Sequence, residues 1–333
     1  GNSHRDFKPF FRAANLSLNI IVVGSTNKTG NRLSIFSDYE KYSRYNLTND
    51  APKPLLVAPG EAYFYKGKFV MGTSFATPLV SGTISILMKE FDKLDENPVG
   101  IMTVLAASSD DKFQGKRNTN GLKVETGAGL LDYKMARIAT TNLITKEIKN
   151  SLQYQEIVFE NREFTLEKNQ EVSISVSSLF NGGYVNLIEG PDLYPVEGGI
   201  TTVPLIGNLY LLFAYTANMM AQNHFESIFD KYREKLDLHK SINPDDLDNY
   251  LSPPILTVIL EEKDDISGRW SEVNMPLRTT SNYSNINKFV YKNTGLTRRY
   301  RYTVKIANQA RHLPNDYTHN KVATTYVIRN KPF

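Results

Sequence analysis

The stretch Phe69–Gly82, FVMGTSFATPLVSG, sets a serine hydroxyl between a glycine-threonine pair and a run with helical spacing. At its free pKa a serine is a weak nucleophile, and it serves in acyl transfer only when a base takes its proton and donors hold the developing oxyanion. A helix that starts close to Ser74 supplies part of this, because its first N–H groups have no intrahelical acceptor and the positive end of its dipole lies there. Gly72 and Thr73 would let the backbone pass close to a substrate, and small Ala76 would let the helix pack tightly below. Read alone, Gly-Thr-Ser is more simply a helix cap built from Thr73, Ser74 and Thr77. The same chemistry needs an imidazole and a carboxylate. Each of the five histidines, His4, His224, His239, His312 and His319, reads as a loop or helix-surface residue, and only His4, with Asp6 two positions on, lies near the start of the chain's serine-bearing part.

The elements that must position Ser74 are legible around it. NIIVVG (Asn19–Gly24) and PLLVAPG (Pro54–Gly60) are short, apolar and end at glycine, as buried strands do. From Thr77 the period becomes helical, through Val80, Thr83, Ile84, Leu87, Met88 and Phe91, with Pro78 tolerable in a first turn. Asn97 and Pro98 signal the cap and first position of a second helix carrying Ile101, Met102 and Leu105. SSDDKFQGKRNTNG (Ser108–Gly121) reads as a polar surface excursion. Strands alternating with helices predict an α/β layer architecture for residues 1–148.

Near residue 150 the grammar changes. Phe164 and Leu166, then Val172, Ile174 and Val176, alternate as in strands with one buried face. PPILTVILEE (Pro253–Glu262) and RYRYTVKI (Arg299–Ile306) repeat the pattern, which places Tyr300, Tyr302, Val304 and Ile306 inside and Arg299, Arg301, Thr303 and Lys305 in water. Residues 155–333 therefore read as an all-β, sandwich-like unit. Phe225, Ile228, Phe229, Tyr232 and Leu236 mark an amphipathic helical insertion at about 218–247.

The bulk numbers agree with two folded cores. The chain has 333 residues, 41% hydrophobic and 22% charged, as an ordinary globular protein does. A net charge of +4 and one short basic cluster, Thr297–Tyr302, argue against a nucleic-acid partner. The absence of cysteine excludes disulfides, thiolate catalysis and thiolate-bound zinc. Thr202–Met220 is the most apolar stretch, but Pro204 and Asn208 interrupt it, so it reads as buried and no transmembrane segment is expected. Gly1 and Asn2 open the numbering without Met or a basic-then-apolar leader, so it is expected to start inside a longer precursor. No cofactor is expected. A calcium site at Glu261–Asp265 is conceivable, but charged residues after a strand are better read as a solvated turn.

GTSFATPLVSG resembles the serine signature of the subtilase family, Gly-Thr-Ser-x-Ala-x-Pro, and five fixed identities make the match specific. Leu79 stands where the family often has histidine, at a position outside the triad. The resemblance extends from Gly1 to about Ile144: GNSH is similar to the family's Gly-Asn turn, Asn19–Tyr39 and Val57–Gly60 to the strands ahead of the serine loop, and Gly127–Ala136 to the segment that closes the catalytic domain. It implies the C-terminal part of a subtilisin-like parallel sheet with flanking helices, with Ser74 as nucleophile and Asn2, beside the Ser74 N–H, as oxyanion donor. The family's order is Asp, His, then Ser, so the resemblance implies that Asp and His are supplied from outside this chain, by an N-terminal part of the protease, and that this chain alone is inactive. His4 as base would need a geometry foreign to the family. Serine endopeptidase activity on protein or peptide substrates, in a secreted or cell-surface enzyme, is the implied function. The rival is an adhesion or partner-binding protein that uses the sandwich and keeps the protease-like part as support.

Overall fold

The computed structural model describes Asn2 and residues 19–39, 54–61, 63–118, 120–149, 156–179, 254–273, 284–307 and 319–330. The first unit is built on two parallel strands, β1 (Val23–Thr26) and β2 (Leu56–Pro59), paired from Val23 opposite Leu56 to Thr26 opposite Pro59. The expected strand at 19–24 thus lies further along, running through Gly24 into two fully buried polar residues, Ser25 and Thr26. Local partners make that burial possible: Ser25 N–H donates to Ser37 Oγ at 2.9 Å, and the Ser25 and Ser34 hydroxyls share a bond of 2.8 Å.

The hairpin β3 (Tyr63–Tyr65) and β4 (Lys68–Val70) leads into α1 (Thr73–Glu90). Val80 and Leu87 are buried as their spacing predicts, but the helix starts four residues before Thr77. Pro78 is therefore in the second turn, not the first, where it has no N–H to offer the Ser74 carbonyl. After a short 3-10 turn, Asp92–Leu94, comes α2 (Pro98–Ser108), which begins where the sequence places it: Asn97 Oδ1 accepts from Gly100 N–H at 3.0 Å and Pro98 holds the first position. Asp132 caps α3 (Tyr133–Asn142), accepting from Met135 N–H at 3.0 Å.

Among the described residues, the β-rich unit is two four-stranded antiparallel sheets. Its strands are β5 (Ile144–Lys149), β6 (Ile157–Leu166), β7 (Gln170–Ser178), β8 (Ile255–Lys263), β9 (Trp270–Glu272), β10 (Ile286–Lys292), β11 (Arg298–Ala307) and β12 (His319–Asn330). One sheet runs β10-β7-β12-β5 and the other β6-β11-β8-β9, and β5 enters the first by pairing with β12. Between them Phe164, Leu166, Val172, Ile174, Val176, Leu256, Val258, Leu260, Tyr300, Tyr302, Val304 and Ile306 form one buried cluster, the alternate positions read from sequence. The basic face of β11 is taken up by cross-strand ion pairs: Arg299 with Glu163 at 2.6 Å, Arg301 with Glu261 at 2.5 Å and Lys305 with Glu156 at 2.8 Å. Of the charged run Glu261–Asp265, Glu262 lies on β8 and accepts from Tyr300 Oη at 3.1 Å, while Asp264 Oδ1, just after the strand, accepts from the Ile266 and Ser267 amides at 3.0 and 2.6 Å.

The outer face of the first sheet is covered by the first unit. Ser173, Ser175 and Ser177 are small enough for α2 to lie close on β7, and Ser177 Oγ bonds Thr103 Oγ1 across the seam. Ala323 and Val327 of β12 share a cluster with Leu87, Leu94, Val99, Val104, Ala136 and Ala139. Arg329 pairs with Asp132 at 2.8 Å and donates to the Ser108 carbonyl. Ser108, Ser109 and Asn120 are buried in this seam while Lys112, Gln114, Gly115 and Lys116 are exposed, so the segment expected as a surface excursion is one through its middle, and its two ends are interface. The stretch 202–220 and the expected helical insertion at 218–247 lie outside the described residues.

Candidate active site

Ser74 is the second residue of α1 and is exposed. Two supports fix the loop before it. Gly60, at the end of β2, accepts from Gly72 N–H at 2.9 Å, and its own N–H donates to Thr26 O of β1 at 2.9 Å, so the parallel strand pair holds the loop directly. Tyr63 of β3 stacks on Phe75 with ring centroids 5.2 Å apart and bonds Pro59 O at 3.2 Å, which ties the hairpin to the first turn of the helix. On the hairpin's outer side Phe64 and Phe69 meet edge to face at 5.4 Å.

Asn2 completes the helix start from 71 residues away in sequence. Its Oδ1 accepts from Thr73 N–H at 2.9 Å and from Thr73 Oγ1 at 3.1 Å. Gly72, at the N-cap position, makes no side-chain cap bond, so the asparagine carboxamide takes the capping role in its place. With the oxygen so engaged, the Nδ2 donor is turned toward Gly72. A Cβ on residue 72 would stand 3.1 Å from Asn2 Nδ2 and 3.8 Å from the Ser74 nitrogen, so both nitrogens border the same small volume, and a side chain at 72 would fill it. The Ser74 amide has no intrahelical acceptor. Two N–H donors and an exposed hydroxyl at a helix N-terminus form an arrangement suited to an anion or a polarised carbonyl oxygen.

The two residues singled out from sequence, Asn2 and Ser74, are thus brought together at one loop. No histidine side chain is among the described residues: His4, His224, His239 and His312 lie outside them, and of His319 only its backbone pairing with Lys149 is described. Further along, Gly127–Leu131 runs beside β2: Ala128 N–H donates to Leu55 O at 2.7 Å, Val57 N–H to Gly129 O at 2.9 Å and Leu131 N–H to Val57 O at 2.9 Å. Sequence reasoning named this segment without its bearing on the serine loop, which depends on pairing across more than 70 residues.

The subtilase family profile matches residues 2–129. No curated relative matches the chain. Among solved structures, a serine protease of Aeromonas sobria is 14% identical over 92% of this chain and 57% of its own length, with a TM-score of 0.27. A protein of Sulfurospirillum deleyianum is 11% identical over 57% of this chain and 99% of its own, with a TM-score of 0.24. Overlays this loose leave the fold to rest on the strand pairings and helix contacts above. Residues 2–129, which contain the strand pair, the serine loop and α1 and α2, are similar to the subtilase family, to the C-terminal part of its peptidase domain.

Proposed function

We propose that the chain is the nucleophile-bearing part of a serine endopeptidase. Ser74 attacks a peptide carbonyl, the oxyanion is held by Asn2 Nδ2 and the Ser74 N–H, and water then releases the acyl group. A histidine and an aspartate supplied from outside this chain take and steer the proton. Protein or peptide is the substrate, and the enzyme acts outside the cell or at its surface. The observation that carries this reading is the Asn2 carboxamide seated on Thr73, which sets Nδ2 and the Ser74 nitrogen on one volume. The deciding experiment is labelling of the complete protein with a fluorophosphonate probe, followed by mass mapping. Covalent modification at Ser74 is expected; a protein that holds histidine and aspartate yet leaves Ser74 unmodified would point to the adhesive reading instead.

The outer face of α1 supports external completion. Thr77, Pro78, Leu79, Ser81, Gly82, Ser85 and Ile86 are all exposed, and a Cβ at Gly82 would meet no atom within 4 Å. Such a small-residue helix face, with Leu79 and Ile86 at its edges, fits close packing of another helix. In our reading it receives the part that carries the histidine. Gly82→Arg is therefore expected to leave this chain's melting temperature unchanged or slightly raised, since helical glycine costs about 1 kcal/mol relative to better formers, while it abolishes hydrolysis by the completed enzyme. Thermal unfolding and peptide hydrolysis check the two halves; full activity in this variant would free the α1 face from that role.

A further inference from the structure

We infer that Lys288, on strand β10 of the sandwich, is a positioning residue for the Ser74 loop, acting through Ala128 and β2. The inference rests on Ser74 being the nucleophile. Alternation along β10 sends Phe289 into the sandwich core and turns Ile286 and Lys288 to the other side, where Ile286 joins the core of the first unit. Lys288 is 1% exposed. Its Nζ donates to Ser109 O at 2.9 Å and to Ala128 O at 2.6 Å, while its backbone N–H donates to Asn120 O at 2.9 Å. Burial, then the Arg117 and Arg329 guanidiniums, hold the amine well below the usual lysine range, with Glu171 opposing and Lys123 adding to the effect. Two of the amine's N–H groups are received by these two carbonyls. An apolar residue would avoid the desolvation of the amine but would leave the buried Ser109 and Ala128 carbonyls without this donor.

Ala128 is gripped from both sides, its carbonyl by Lys288 and its N–H by Leu55 O at 2.7 Å. The next residues hold β2 through Val57, as described above, and β2 ends at Gly60, whose carbonyl takes the Gly72 N–H. Gly72 in turn lies against Asn2 and Ser74. Every link from the sandwich to the helix start is a hydrogen bond or a single short strand, so slack at Lys288 passes to the loop rather than into a flexible connection.

Hydrogen exchange on the full chain tests this with no need for activity. In Lys288→Met, amides in 55–60 and 72–75 are expected to exchange at least tenfold faster, while those of β6 and β11 stay within twofold. In the completed enzyme the same variant is expected to lower kcat about tenfold with KM within twofold. Unchanged protection in 55–60 and 72–75, or an equal rise in every segment, overturns the inference. Should Lys288→Met fail to fold, exchange of the unaltered chain in rising urea decides: the Val57, Gly72 and Lys288 amides are expected to open together with one urea dependence, and separate opening overturns it. A complete protein that takes no fluorophosphonate but keeps this common opening would sink the nucleophile assignment and uphold the linkage.

Discussion

Ser74→Ala, in the proposed peptidase completed with a histidine and an aspartate, is expected to lower kcat by about 10⁶-fold, the size of loss known for the nucleophile of subtilisin itself. The variant removes the attacking oxygen and little else. Ser74 is exposed, and the capping bonds at the helix start run from Thr73 to Asn2, not from the serine hydroxyl. Its melting temperature should therefore match that of the parent, which separates lost chemistry from lost folding. KM should change little, because the hydroxyl contributes in the transition state rather than to ground-state binding. What remains after Ser74→Ala comes from the two N–H donors, and adding Asn2→Ala should reduce that remainder further, at a cost of about 1 kcal/mol in helix capping. Steady-state hydrolysis of a chromogenic peptide with parallel thermal unfolding measures both; turnover within tenfold of the parent would remove Ser74 from the mechanism.

Local signals read from sequence carried over where a single element determined them. Asn97 and Pro98 open α2 because capping and the fixed proline torsion act within one turn. The inward tyrosines and outward arginines of β11 follow from the two-residue period of a strand, whatever it pairs with. Signals that depend on distant partners were not legible. The start of α1 at Thr73 relies on a carboxamide 71 residues away, so the helical period visible from Thr77 marked only its body. The strand read as ending at Gly24 continues through Ser25 because its partners, Ser34 and Ser37, belong to a later loop. Within Ser108–Gly121, exposed through its middle as its composition suggests, nothing reveals that Lys288 and Arg329, far along the chain, bond the Ser109 and Ser108 carbonyls at its start. A lysine in the middle of INKFVYK gives no sign of burial; only pairing β10 against β7 and packing its far side on the first unit does that.

Gly121→Ala is expected to destabilise the chain by about 3 kcal/mol or more, and the comparison that gives this meaning is Gly67→Ala. Both glycines have left-handed backbones, Gly121 with φ of 75° and Gly67 with φ of 76°, so an alanine at either position bears the same conformational cost of about 1–2 kcal/mol. Their surroundings differ. A Cβ at Gly67, in the turn between β3 and β4, meets nothing within 4 Å, whereas a Cβ at Gly121 would fall on the Lys288 backbone carbonyl, far inside contact distance. Neither side of that contact can yield easily. Arg117 Nη1 donates to Gly121 O at 2.7 Å, Gly121 N–H to Asn118 O at 3.1 Å, and Lys288 N–H to Asn120 O at 2.9 Å, so relief of the clash would break bonds that shape this turn or the one from Lys288 that joins the two units here. Overpacking of this kind adds about 1–3 kcal/mol. Urea unfolding of the two variants isolates the term: a loss near 1 kcal/mol for Gly67→Ala and a clearly larger one for Gly121→Ala would place the difference in the seam. Equal losses would mean that the backbone torsion alone selects glycine at 121, and that β10 can move off the first unit without the resistance its hydrogen bonds imply.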